Sequence, residues 1–249
     1  MIFLTPPSEP KMVVLNVGQG DSILVQEGYF QMLVDTGPDD SLLYELPKYM
    51  PENDRTIELI ILTHSHTDHI QGLFSLIGNY KIEKIIYQSN CFNASDFEYI
   101  KANYSSILYD IQMPITLHYG DIAATVVYPF NVDCHSDINQ DSLVIDLTIY
   151  QTKIMLMGDA GKQAETYMME HNLVHSVDIL KTGHHCSSSA TGEMFLKTLS
   201  PAVAVCSCGE GNSFGHPHSE TLQTFRDQNV QYLITYEKGN IVFRIKKVR

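Results

Sequence analysis

Short apolar stretches broken by glycine, proline and aspartate turns run the length of this chain. Residues 12–17, 22–26 and 29–34 are β-branched or aromatic runs separated by Gly18-Gln19-Gly20-Asp21 and Glu27-Gly28, which predicts an antiparallel meander. A helix is expected over 41–50 after the Gly37-Pro38-Asp39-Asp40 turn, and 57–62 is a nearly continuous apolar strand. Helix 68–77, strand 82–87, helix 95–103 and strands within 115–127, around the Tyr119-Gly120-Asp121 turn, complete the first half. The second half opens with paired strands over 142–150 and 153–157, then helix 163–171 and strand 177–180. A loop with His184 and His185, helix 193–199, strand 202–205, helix 219–228 and strands 232–236 and 241–245 follow. Meanders with helices in both halves predict an α/β fold of two sheets packed face to face under outer helices, an αββα sandwich. No repeat, low-complexity stretch or linker interrupts it, so one domain over 1–249 is expected, in halves of about 12–130 and 131–249.

Composition narrows the setting. At 249 residues and 44% hydrophobic content the chain can bury a sizeable core. No apolar run approaches the roughly 20 residues that span a bilayer, and residues 1–11 carry three prolines without a basic start or apolar centre. The expectation is a soluble chain without direct membrane insertion or a visible export signal. It would be cytoplasmic if free-standing and extracytoplasmic if cut from a membrane-spanning parent. Five scattered cysteines, an odd number, predict reduced thiols rather than a disulfide framework. Cys206 and Cys208 lack a second cysteine pair, so they are expected to end a buried strand.

Candidate chemistry concentrates in His64-Ser65-His66-Thr67-Asp68-His69, directly after the apolar run. Imidazole nitrogens mixed with a carboxylate suit zinc or a similar divalent ion. Three other segments repeat the design of an apolar strand ending in polar residues: Leu33-Val34-Asp35-Thr36-Gly37, Met155-Leu156-Met157-Gly158-Asp159 and Ile179-Leu180-Lys181-Thr182-Gly183-His184-His185. Strand ends on one rim can bring such residues together in space. His118, His171 and His175 stand outside these segments and are expected to be surface or core residues.

In order, these segments resemble the metallo-β-lactamase-fold hydrolases, from about Met12 to the end of the chain. A narrower resemblance lies in Leu15-Asn16-Val17-Gly18-Gln19-Gly20-Asp21-Ser22, Gly183-His184-His185 and Phe214-Gly215-His216-Pro217-His218. These are similar to the C-terminal hydrolase domain of the ComEC DNA-uptake proteins and its free-standing relatives, and to choline-binding phosphodiesterase cousins. The resemblance implies a four-layer metallo-β-lactamase sandwich holding two divalent ions, zinc or manganese. It assigns His64 and His66 to the first ion, Asp68, His69 and His184 to the second, and Asp159 to both, with His185 the competitor of His184. It implies that Asp35 accepts a hydrogen bond from a ligand histidine, and that His216 and His218 face the metals and contact substrate or leaving group.

Two departures from the family stand out. The third histidine usual at the first ion is replaced by Ile138-Asn139-Gln140-Asp141-Ser142, where Asp141 or Asn139 is ranked above His135 as the substitute. Cys186-Ser187 stands where Gly-Ser usually follows the histidine pair, which puts the loop's backbone path in question.

The implied function is metal-assisted phosphodiester hydrolysis, with DNA the leading substrate and Asp68 handling the proton of the attacking water. The net charge of −13, from 16 basic and 29 acidic residues, opposes broad attraction to a polyanion. It favours as rival a small phosphodiester such as a phosphocholine ester. The densest basic patch is Lys246, Lys247 and Arg249. A non-catalytic metal-binding module that docks DNA would be expected to lose ligands, and these are intact. A β-lactamase would have kept the third histidine, and an iron-dependent oxidoreductase resembles a pattern with Glu between His64 and Asp68, absent here.

Overall fold

The protein is described from a computed structural model that covers residues 9–92, 95, 97–130 and 133–247. Arg249 of the basic patch lies outside the described residues. Within them no helix is long and apolar enough to cross a membrane.

The first sheet is built from β1 (Lys11–Val14), β2 (Ile23–Glu27) and β3 (Phe30–Val34), after which come helix α1 (Leu42–Glu45) and the short strand β4 (Thr56–Ile57). It continues with β5 (Leu59–Ile61), helices α2 (Thr67–Ile70) and α3 (Gly72–Asn79), β6 (Lys81–Ile82), β7 (Ile85–Tyr87), helix α4 (Phe97–Tyr104) and β8 (Leu108–Asp110). The second sheet takes β9 (Ile115–Tyr119), β10 (Ile122–Tyr128), β11 (Val144–Ile149), β12 (Thr152–Leu156), β13 (Ile179–Lys181), β14 (Val203–Cys206) and β15 (Gln231–Ile234). Helices α5 (Lys162–Glu170), α6 (Glu193–Leu199) and α7 (Ser219–Asp227) cover it; α8 (Thr235–Lys238) and β16 (Ile241–Arg244) close the chain.

The strand orders are β16-β1-β2-β3-β5-β7-β8 and β15-β14-β13-β12-β11-β10-β9, with β4 and β6 forming a small separate pair. In each large sheet an antiparallel meander joins a parallel portion, β3-β5-β7-β8 in one and β12-β13-β14-β15 in the other. The sheet boundary falls between Asp110 and Ile115, and β16 returns to pair with β1.

Period-two alternation makes three apolar layers out of these strands. Met32 and Val34 of β3, Leu59 and Ile61 of β5, and Ile154 and Leu156 of β12 meet between the sheets. Their neighbours Leu33 and Ile60 point the other way, against Leu42, Leu73, Leu76 and Ile100 of the helices over the first sheet. Met155 and Leu180 pack likewise under Ala164, Phe195, Leu196 and Phe225. Two sheets between two helical layers is the expected αββα sandwich.

The structure corrects the reading of the cysteines. Cys91 pairs with Cys134, and Cys186 with Cys206, leaving Cys208 free and buried. Sequence separations of 43 and 20 gave no sign of this, but β13 and β14 are adjacent and parallel, and the turn after β13 sets Cys186 beside Cys206 at the end of β14. Residues 235–236, expected to extend the strand after 232, instead begin α8. β8 was not anticipated, because two of its three residues are exposed and carry no apolar pattern.

Candidate metal centre

The parallel strands point their C-terminal ends at one rim, and the loops after β3, β5, β12, β13 and β14 carry the polar residues. The rim is stitched by backbone hydrogen bonds: Asp35 N donates to Ile61 O at 2.9 Å, and Leu143 N crosses between the sheets to Thr63 O at 2.9 Å. Gly20 lets the first loop approach α2, since a Cβ there would stand 2.3 Å from Asp68 O. Asp21 N then donates to that same carbonyl at 3.2 Å.

Two groups of candidate ligands form there. His64, His66 and Asp159 make one, Asp68, His69 and His185 the other. Asp159 faces both: Oδ2 is 3.9 Å from His64 Nε2, while Oδ1 is 3.3 Å from His69 Nε2 and 3.3 Å from His185 Nε2. Asp68 Oδ2 lies 3.3 Å from His185 Nε2.

Backbone and side-chain partners fix which nitrogens point inward. Asp35 Oδ2 lies 2.7 Å from His69 Nδ1, so that nitrogen carries the proton and Nε2 is left as a lone pair. Thr63 donates to both carboxylate oxygens of Asp35, from N at 2.8 Å and Oγ1 at 2.7 Å. Having given its proton away, Thr63 Oγ1 accepts from His64 Nδ1 at 3.1 Å, which again frees Nε2. His185 Nδ1 donates to Ser207 O at 2.8 Å with the same result.

His64 Nε2 thus faces His66 Nδ1 at 3.0 Å, and His69 Nε2, His185 Nε2 and Asp159 Oδ1 are buried without a hydrogen-bond partner. Buried lone pairs converging on one space are costly unless a cation or proton sits among them. Imidazole and carboxylate donors of this kind fit divalent metal ions. The local field agrees. Burial disfavours charge on His69 and His185, yet Asp159, with Asp35 or Asp21, raises both well above the usual imidazole range. Burial and the neighbouring His69 lower His64.

His185, not His184, therefore closes the second group. Residues 184, 185 and 186 adopt φ values of 44°, 51° and 64°, a left-handed succession that turns the His185 ring inward. The His184 ring faces outward, with Nδ1 3.0 Å from Ser189 Oγ. Cys186 at the familial glycine position takes this left-handed geometry while its sulfur joins Cys206.

The substitutes for a third histidine separate as well. Asp141 is occupied by His135, whose Nδ1 lies 2.6 Å from Oδ1, and it does not join His64, His66 and Asp159. Asn139 Oδ1 is buried without a partner, and Ser142 Oγ accepts from Asp159 N at 3.1 Å.

His216 and His218 also diverge. His218 uses both ring nitrogens on backbone, Nδ1 accepting from Ser188 N at 2.9 Å and Nε2 donating to Phe214 O at 3.1 Å. It braces the loop and has no nitrogen left for substrate. His216 stands 5.3 Å from the His184 ring and 6.1 Å from the His185 ring, with Nδ1 buried and unpaired. Burial, then the charges of His185 and His184, bring His216 down to about 4. It is neutral near pH 7 and suited to hydrogen bonding.

Sequence reading gave no role to Lys181 and Asp21. Lys181 Nζ meets Asp21 Oδ2 at 2.5 Å in full burial, and Asp21 Oδ1 is 3.4 Å from His185 Nδ1. A lysine inside an apolar strand was the available signal.

Residues 15–132 match the family profile described as the Metallo-beta-lactamase superfamily. ComE operon protein 3 of Bacillus subtilis is 27% identical over 99% of this chain, which spans only 34% of that relative's length. The protein named Exodeoxyribonuclease WalJ of Streptococcus pneumoniae is 23% identical over 70% of this chain and 65% of its own. The metallo-beta-lactamase fold protein YhfI of Bacillus subtilis superposes with a TM-score of 0.62 at 17% identity, covering 95% of this chain and 99% of that one.

Proposed function

The chain carries a metallo-beta-lactamase superfamily domain, and from that premise we propose that it is a metal-dependent hydrolase of DNA phosphodiesters. The observation that carries the reading is Asp159, shared between two groups of histidines and buried with its own Oδ1 and the facing Nε2 atoms of His69 and His185 lacking hydrogen-bond partners. His64, His66 and Asp159 would hold one divalent ion, with Asn139 the remaining candidate to complete it. Asp68, His69, His185 and Asp159 would hold the other. When bound, the ions supply positive charge that acidifies water and offsets charge on a phosphoryl oxygen.

The chain's own residues supply the rest. Asp35, Thr63 and the Ser207 carbonyl hold the imidazoles in one tautomer. Asp68, partly exposed at the mouth, accepts the proton of an attacking water; burial resists its ionisation, but His185 and His69 keep its pKa lowered. Neutral His216 orients a substrate oxygen by hydrogen bonding. The nuclease name of the pneumococcal relative supports DNA. The net charge of −13 favours a small phosphodiester as the second reading. Two disulfides support an oxidising compartment.

The test pairs elemental analysis after reconstitution with cleavage of single-stranded DNA, duplex DNA and a chromogenic phosphodiester. His185→Ala is expected to lose about one metal equivalent and at least about 10²-fold in turnover, exceeding the effect of losing an outer partner. His184→Ala is expected to keep its metal. Equal metal content in both variants would refute the second site. Turnover of the chromogenic ester alone, under zinc and under manganese, would replace DNA by the small-ester reading.

A further inference from the structure

Phe214 is 62% exposed although it lies beside the buried histidines. Its ring is nearly parallel to that of His216, 21° between planes and 5.7 Å between centroids, and His216 in turn neighbours His184 and His185. The loop that presents it is rigidly held. Asn212 Oδ1 accepts from Phe214 N at 3.2 Å and His216 N at 3.0 Å, and its Nδ2 donates to Gly209 O at 2.9 Å and His216 O at 2.5 Å. His218 fastens Phe214 O from the other side. This framework spends its polar groups on keeping an aromatic face in water at the mouth of the metal groups.

We propose that Phe214 is a stacking platform for an unpaired nucleobase next to the scissile phosphate, so that the substrate is single-stranded nucleic acid. The inference rests on the nuclease reading and names how that site takes its substrate. One sugar separates a base from its phosphate, so a base on the outer face of Phe214 leaves the phosphate at the histidines. Duplex bases are stacked on one another and do not offer a free face, whereas single strands do. With 29 acidic against 16 basic residues, phosphate attraction is weak, and stacking supplies affinity that does not depend on it.

The chain contains no tryptophan, so Phe214→Trp installs a single reporting indole at the platform. Metal-reconstituted protein is mixed in stopped flow with a 12-nucleotide single-stranded DNA, its abasic counterpart, the duplex, and phosphocholine. The expected result is quenching of the Phe214→Trp emission by the single strand alone. In steady state, Phe214→Ala should raise KM for the single strand about ten-fold, within the range of one stacked base, with kcat little changed. Phe214→Trp should restore KM, Phe214→Leu should not, and cleavage of the abasic oligomer should be indifferent to all three.

An unchanged KM in Phe214→Ala, rescue by Phe214→Leu, or an equal loss on the abasic oligomer overturns the platform while leaving a nuclease intact. So does quenching by phosphocholine and not by DNA, which would make the ring a cation receptor. If the unaltered protein cuts no nucleic acid with zinc or manganese, the nuclease reading and the platform fall together.

Discussion

Asp159→Asn is expected to reduce metal content from about two equivalents to below one and to lower turnover about 10³-fold or more. Among the described residues Asp159 is the one carboxylate that faces both histidine groups, through Oδ2 toward His64 and Oδ1 toward His69 and His185. The amide keeps the shape but removes the charge opposing two cations, and charge stabilisation by such ions amounts to several kcal/mol. Burial of Asp159 opposes its ionisation, but His185 and His69 hold its carboxyl far below the usual range. The anion is therefore already formed where the cations would bind. Loss at Asp159 should exceed loss at His64 or His185, each of which belongs to one group. Elemental analysis and turnover of the four proteins, with circular dichroism to confirm folding, measure this order. Two full equivalents and parental turnover in Asp159→Asn would sink the shared-carboxylate model.

The residues that sequence located well are those whose chemistry is written in contiguous letters. His64 to His69 follow an apolar strand directly, and the strands expected within 115–127 on either side of the Tyr119-Gly120-Asp121 turn are β9 and β10. What sequence could not supply was conformation and partner. His184 and His185 are chemically identical neighbours, separated only by a run of positive φ that no letter pattern displays. His218 carries the right side chain for chemistry but spends it on Ser188 and Phe214, and Asp141 spends its own on His135. The Cys186–Cys206 disulfide was hidden for a related reason: the turn after β13 meets the end of its parallel neighbour β14, and strand order is not legible from spacing.

Lys181→Met is expected to destabilise the fold by about 3–5 kcal/mol, the cost of removing one partner of a buried ion pair. For a chain of this length that corresponds to a fall in melting temperature of roughly 6–20 °C. Lys181 is fully buried, bonded to Asp21 and to Thr182 O at 3.0 Å, and the substitution leaves the Asp21 anion with His185 as its nearest remaining positive partner. Burial opposes ionisation of Asp21, but Lys181 and His185 together hold its carboxyl well below the usual 3.8. A carboxyl lowered in the fold contributes stability above its unfolded value and loses that contribution as pH falls through its folded one. Without Lys181 the largest lowering partner is gone while burial still opposes ionisation, so this contribution shrinks. The gap between parent and variant is therefore largest near neutrality and narrows in acid. Pairing Lys181→Met with Asp21→Leu removes both charges and should recover most of the melting temperature. That double variant also removes the carboxylate beside His185, so it should lose metal from the second group while remaining folded. Melting curves of the single and double variants between pH 4 and pH 8, read beside metal content, decide the matter. A single variant as stable as the parent would show that the pair does not hold the rim, and a double variant with full metal would show that it does not orient His185.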